Sequence, residues 1–143
     1  MLSTKEEILA FIKANPLFFI ATQQADQPHV RAIMMHKADE SGIVFTTGKN
    51  KDFYKQLQAN PKVELCFYSN NVQLRVTGDV TEIDDDISLK QEIVSSRPFM
   101  LSWIEAVGYD VMGVFRISNC KATGWSLDMP LMRKRYITLF ETL

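Results

Sequence analysis

The sequence is poor in the residues that carry most metal and covalent chemistry. Two cysteines, Cys66 and Cys120, and two histidines, His29 and His36, are all it holds in 143 residues. Their spacing matches no zinc site, and neither His-Glu-x-x-His nor Cys-x-x-Cys occurs, so no metal centre is expected. Without a Gly-x-Ser-x-Gly elbow a serine triad of the hydrolase type is excluded too. Thr47-Gly48-Lys49 lacks the upstream glycine and the following Ser/Thr of a Walker loop, and no Gly-x-Gly-x-x-Gly opens a dinucleotide-binding unit. Charge of one sign is also missing. Sixteen Lys and Arg stand against seventeen Asp and Glu, a formal net charge of −1. That leaves no overall field to hold a nucleic-acid backbone, and any basic site must be local. No apolar run is long enough to cross a bilayer, and Lys5, Glu6 and Glu7 stand where a signal peptide needs its apolar stretch. The expectation is a cytoplasmic protein with no membrane partner. Both cysteines lie in apolar strand-like runs, the setting of free core thiols rather than a disulfide.

What is present is core and alternation. At 46% hydrophobic, with no repeat, low-complexity tract or linker, residues 1–143 read as a single domain. Thr4 followed by Glu7 makes a capping-box pattern ahead of Ile8, Leu9 and Ile12, and Asn15-Pro16 ends that helix. Residues 17–23 and 29–38 then read as a hairpin about the turn at 25–28, with 43–47 as a third antiparallel strand. A short helix carrying Phe53 and Leu57 follows, stopped by Asn60-Pro61. Residues 62–69 and 72–83 flank a turn at Asn70-Asn71. Asp84-Asp85-Asp86 supplies an N-cap for a helix over 87–94, Pro98 opens a second that Gly108 closes, 112–125 returns to strand, and 131–143 adds a last short one. The class is mainly β (α+β), an antiparallel barrel with peripheral helices.

The candidate site lies in the middle of this order. Thr46-Thr47-Gly48-Lys49-Asn50-Lys51 places hydroxyls and ammonium groups at a helix entrance, where free backbone N–H groups suit an anionic phosphate. One strand period upstream, Arg31, Ile33, Met35 and Lys37 fall on one face, so Arg31 and Lys37 are expected to point together. Downstream, Gln73, Arg75, Thr77 and Asp79 form a polar row that is either solvated or lines a groove. Taken singly these are ordinary features: lysines are mostly exposed, polar residues protect sheet edges, and His29 and His36 read as surface or satisfied core histidines.

Four segments together resemble the pyridoxamine 5'-phosphate oxidase-like FMN-binding split-barrel family: Pro28-His29-Val30-Arg31-Ala32-Ile33-Met34-Met35, Gly42-Ile43-Val44-Phe45-Thr46-Thr47, the run from Lys51 through Asn60-Pro61 to Leu65, and Gln73-Leu74-Arg75-Val76-Thr77-Gly78. The resemblance implies a six-stranded antiparallel split β-barrel that dimerises and binds FMN between subunits. It also implies that Arg31, Lys49 and Lys51 approach the cofactor phosphate, that Thr46 and Thr47 supply hydroxyls, that backbone at Ala32 and Ile33 follows the flavin edge, and that Gln73 and Arg75 lie near the cofactor. Hydride exchange with a nicotinamide, NAD(P)H, or with a small organic substrate would follow, with no side chain standing out as catalytic. A flavin, deazaflavin or haem binder without turnover is the alternative. Two departures narrow this. The tail Met132-Arg133-Lys134-Arg135-Tyr136 lacks the Arg-x-His of true pyridoxamine phosphate oxidases, so oxidation of vitamin B6 is not expected. Lys49-Asn50-Lys51 stands where those enzymes carry Ser-Arg-Lys.

Overall fold

In the computed structural model, which describes residues 2–83 and 86–141, helix α1 (Lys5–Ala14) leads into a nearly continuous antiparallel sheet. The Thr4 side chain caps α1 by accepting from the Glu7 amide, as the capping pattern implies. Strands β1 (Leu17–Gln24) and β2 (Gln27–Met34) form the first hairpin, and β3 (Lys37–Asp39) and β4 (Gly42–Gly48) the second. After α2 (Asp52–Ala59) come β5 (Lys62–Ser69) and β6 (Val72–Glu82). Asn70 and Asn71, at φ of 51° and 61°, make the tight turn that residues tolerant of positive φ allow. Helix α3 (Ile87–Ser96), a 3-10 turn (Pro98–Met100), α4 (Leu101–Val107), β7 (Met112–Ser126) and β8 (Ile137–Leu139) complete the order. The Asp86 carboxylate caps α3; Asp84 and Asp85, the rest of the expected cap cluster, lie outside the described residues.

The sheet runs β2-β1-β5-β6-β7-β4-β3, with β8 added on β7. Six long strands match the expected split barrel, and two three-residue strands are additional. The path does not close, since β2 and β3 stand at opposite ends of it. Two expectations need correction here. Residues 29–38 are not one strand: β2 stops at Met34, and the chain bends so that the Met35 amide donates to Pro16 O and the His36 amide to Val44 O. Nor do the first three strands pair in sequence, because β4 finds its long partner in β7, from Ile43↔Ile117 to Gly48↔Met112. Period-two alternation marks where strands lie but carries no record of which distant strand they pair with.

Two apolar clusters hold the fold. The larger fills the inner face with Phe18, Phe45, Phe67 and Phe115 beside Ile8 and Ile12 of α1 and Phe53 and Leu57 of α2. Phe45 stacks on both Phe53 and Phe115, with ring centroids 5.8 and 5.5 Å apart, an offset arrangement that aromatic quadrupoles favour. The smaller cluster lies on the other side of β4 and β7. There Val44, Met112 and Val114 meet Leu89, Ile93 and Val94 of α3 and Met100 and Ile104 beyond it. That second cluster fixes the α3–α4 segment over the end of β4.

Candidate functional site

The end of β4, the start of α2 and the α3–α4 segment enclose a cavity of about 330 Å³. Its floor comes from Thr46, Thr47, Gly48, Asn50 and Lys51, with Met112 beneath; the facing wall comes from Arg97, Phe99, Trp103 and Val107. Thr46 is fixed by donating its hydroxyl to Gly113 O at 2.8 Å, and Thr47 is buried. Helix α2 has no side-chain cap at Lys51, so the orphan amides of its first turn are open to an acceptor from outside the chain. Among the described residues no Asp or Glu lines the cavity, and neither Lys51 nor Arg97 has a carboxylate partner.

Arg97 was not anticipated from the sequence. It follows the last turn of α3, and its Nη2 donates to the carbonyls of Met34 and Met35 at 2.8 and 2.9 Å, which ties α3 to the bend after β2. Partial burial lowers its guanidinium below the usual arginine range, although it stays charged at neutral pH. Phe99 and Trp103 form an edge-to-face pair with centroids 5.6 Å apart, both more than half exposed. A Pro-initiated turn carrying aromatics was legible; the return of that turn to the end of β4 was not.

The other expected site residues are distributed over the surface of one protomer. Arg31 points to the inner side of β2 and sits beside α2: its Nη2 donates to Gln56 Oε1 at 2.9 Å and its Nη1 to Thr22 Oγ1 at 3.3 Å. Burial lowers the Arg31 guanidinium, and the Asp52 charge works against that shift. The bend at residues 35–36 separates Arg31 from Lys37, which instead lies 3.7 Å from Glu92, so these two cations do not point together. Ile33 packs against the inner core, while Ala32 faces outward. The Lys49 amide donates to Val111 O, which fixes the loop; its side chain does not line the cavity.

Gln73 and Arg75 line a second groove of about 380 Å³ with Trp125, Met129, Met132 and Lys134. Arg75 forks onto Glu64 through Nε and Nη2 at 2.8–3.1 Å. On β7 opposite it the Thr123 hydroxyl is buried with no hydrogen-bond partner among the described residues. Ladder register puts Ala32, Phe19, Cys66, Arg75 and Thr123 in one row across the outer face of five strands. Ala32 and Arg75 are three strand spacings apart, roughly 14 Å. A single copy thus brings Thr46, Thr47 and Lys51 together, and leaves Gln73 and Arg75 in a different groove.

The model for pyridoxamine 5'-phosphate oxidase matches residues 4–113. The chain belongs to the pyridoxamine 5'-phosphate oxidase family. A pyridoxine/pyridoxamine 5'-phosphate oxidase of Pelagibacter ubique is 28% identical over 87 residues, which cover 59% of this chain and 41% of that protein. The chain therefore spans less than half the length of that curated relative. A nimc/nima family protein from Clostridium acetobutylicum superposes with a TM-score of 0.74 at 24% identity, covering 94% of this chain and 92% of the other. A pyridoxamine 5'-phosphate oxidase-related, FMN-binding protein from Nostoc punctiforme superposes at 0.63 with 16% identity, over 97% and 98% of the two chains. Both likenesses establish the family fold across nearly the whole chain. No helix among the described residues is long and apolar enough to cross a membrane, and no cluster of metal-ligating side chains occurs among them.

Proposed function

We propose that this chain is an FMN-binding oxidoreductase that works as a homodimer, with each cofactor held between the cavity of one protomer and the Gln73–Arg75 groove of the other. The observation that carries the proposal is the cavity at the start of α2, where hydroxyls, uncapped amides, Lys51 and Arg97 converge; among the described residues no Asp or Glu lines it, Asp52 of the first turn standing outside the lining. A dianionic phosphate suits such a cluster, because charge-assisted hydrogen bonds form without first displacing an internal partner. Arg31 and Lys49, on β2 and in the loop before α2, are the further cations of this reading, and neither lines the cavity of one protomer. At about 330 Å³ the cavity is near the lower limit for small-molecule sites and is open on one side. A second protomer is the natural means of completing it.

The outer face of the sheet supports the dimer. Leu17, Phe19, Val30, Met34 and Tyr68 are each between 45% and 70% exposed on adjacent strands, a contiguous apolar area of the kind that marks a partner surface. Covering it would also exclude water from Ala32 and Arg75, which share that face. Bound FMN would supply hydride exchange, the cofactor's own chemistry. The protein's part is to hold the phosphate with Lys51 and its neighbours, to position the ring against Thr46 and Thr47, and to present Phe99 and Trp103 to a planar partner such as a nicotinamide. Mixing the FMN-loaded protein anaerobically with NADH and NADPH tests the enzymatic half: bleaching of the flavin band within seconds supports it. Bound flavin that neither nicotinamide bleaches would make the protein a carrier or sensor.

A further inference from the structure

Two buried polar side chains, Thr22 of β1 and Gln56 of α2, are each only 3% exposed, and both turn to Arg31. Gln56 Oε1 accepts from Arg31 Nη2 at 2.9 Å and from the Thr22 hydroxyl at 2.7 Å, and Thr22 Oγ1 accepts in turn from Arg31 Nη1 at 3.3 Å. A guanidinium only donates, so the amide must present its oxygen and the triangle closes one way round. The fold brings the three together. Arg31 pairs with Ile20 in the β1–β2 ladder, which places it diagonally opposite Thr22 on the same face, and Gln56 stands three residues after Phe53 on the buried face of α2. With the Phe53 ring 4.3 Å from its guanidinium carbon, Arg31 is fixed beside the first turn of α2, where no side chain caps the helix.

We infer that Gln56 is a positioning residue for the cofactor phosphate: with Thr22 it fixes Arg31 beside the entrance to α2 and leaves its positive charge uncompensated for an anion there. This rests on the reading above that the entrance receives the phosphate of FMN, and adds what keeps a second cation available to it. The chemistry of the clamp carries the point. A partly buried arginine is ordinarily paired with a carboxylate, yet among the described residues Arg31 has no Asp or Glu at ion-pair distance. Its acceptors are an amide and a hydroxyl, which orient the guanidinium without neutralising it. Asp52, the first residue of α2, acts on Arg31 only from beyond that distance. A glutamate at position 56 would fill the same volume and accept the same two hydrogen bonds, but it would also cancel the charge. Arg31 does not line the cavity of one protomer, so its effect on an anion there is carried by its field, which is strengthened where water is partly excluded.

Gln56→Glu separates the two roles this clamp could have, because a purely structural clamp would leave that variant binding as wild type does. In full-length apo-protein at constant ionic strength, inorganic phosphate should raise the wild-type Tm by about 2–4 °C, and the Gln56→Glu Tm by about half of that or less. FMN affinity should fall about two- to fivefold in Gln56→Glu, the scale of one partly exposed charge pair, while affinity for riboflavin, which has no phosphate to feel the charge, stays unchanged. Gln56→Met, which removes the acceptor without adding a charge, is the second variant if the carboxylate hinders folding. With Arg31 released from its clamp, it should narrow both the phosphate gain and the preference for FMN over riboflavin. Wild-type protein with no phosphate gain overturns the inference, as do variants that keep all of that gain or an FMN preference that neither variant narrows. A phosphate gain that depends on Gln56, in protein that takes up no FMN, would sink the cofactor reading alone.

Discussion

Arg31 lies over the ring of Phe53 with its guanidinium carbon 4.3 Å from the centroid, so the cation expected at the cofactor is also part of the contact between β2 and α2. Phe53 stacks in turn on Phe45 of the core. That structural role and the proposed one at the cofactor can be separated by experiment.

Arg31→Ala should lower stability by about 1–2 kcal/mol, the sum of a cation–π contact and a hydrogen bond to an amide that Thr22 still satisfies. Combined with Lys51→Ala it should weaken FMN binding at least tenfold, more than its effect on folding would suggest. Urea unfolding and FMN fluorescence quenching on the same variants measure the two effects. A full stability loss with unchanged FMN affinity would confine Arg31 to the structural role.

The dimer proposal makes a prediction on the opposite face of the same hairpin. Phe19→Glu or Val30→Glu places a carboxylate on exposed strand positions that one copy leaves uncovered. Sedimentation velocity should show a monomer with an unaltered circular dichroism spectrum, and FMN binding should fall with dimerisation. A wild-type protein already monomeric at micromolar concentration contradicts the interface.

Much of this arrangement was legible in the residues. Thr4 and Glu7 marked the first helix, Asn70-Asn71 the tight turn, and Pro98 and Gly108 both ends of the α4 segment, because caps and turns are local chemistry. Thr46, Thr47, Lys49 and Lys51 read as one anion-binding entrance; Thr46, Thr47 and Lys51 line one cavity, and Lys49 does not. What failed was non-local. The break after Met34 depends on Pro16 and Val44, residues distant in sequence that accept the amides of the bend. Arg97 reaches the site only because α3 packs on Val44, Met112 and Val114, which no spacing rule relates to it. Gln73 and Arg75 looked continuous with the entrance, yet in one copy they belong to another groove.

The two cysteines should differ in reactivity. Burial, with Asp79 adding to it, pushes the Cys120 thiol up to about 12, while Cys66 is half-buried and raised less. In native protein at pH 8, a thiol-selective chromogenic reagent should label Cys66 slowly and Cys120 only after unfolding. The sign for stability follows from linkage: the buried thiol favours folding below the ordinary cysteine range near pH 8.5, and that contribution is lost as pH rises from there towards about 12. Cys120→Ala should flatten the alkaline limb of a stability profile.

Gly42 is a backbone requirement of the β3–β4 turn. Its φ is +135°, and a Cβ there would stand 2.2 Å from the Ile117 carbonyl oxygen. Gly42→Ala should cost several kcal/mol, because strain and the displaced β4–β7 ladder add, and thermal unfolding would register it as a large fall in Tm. An alanine variant as stable as wild type would show that the turn accommodates a side chain.

The central claim is that the entrance to α2 holds the phosphate of FMN. Apo-protein titrated with FMN and, separately, with riboflavin, which lacks the phosphate, tests it most directly. The account predicts saturable FMN quenching at one cofactor per protomer, with riboflavin binding at least a hundredfold weaker and Lys51→Ala narrowing that gap. Equal affinity for the two, or no saturable binding of FMN, would contradict it.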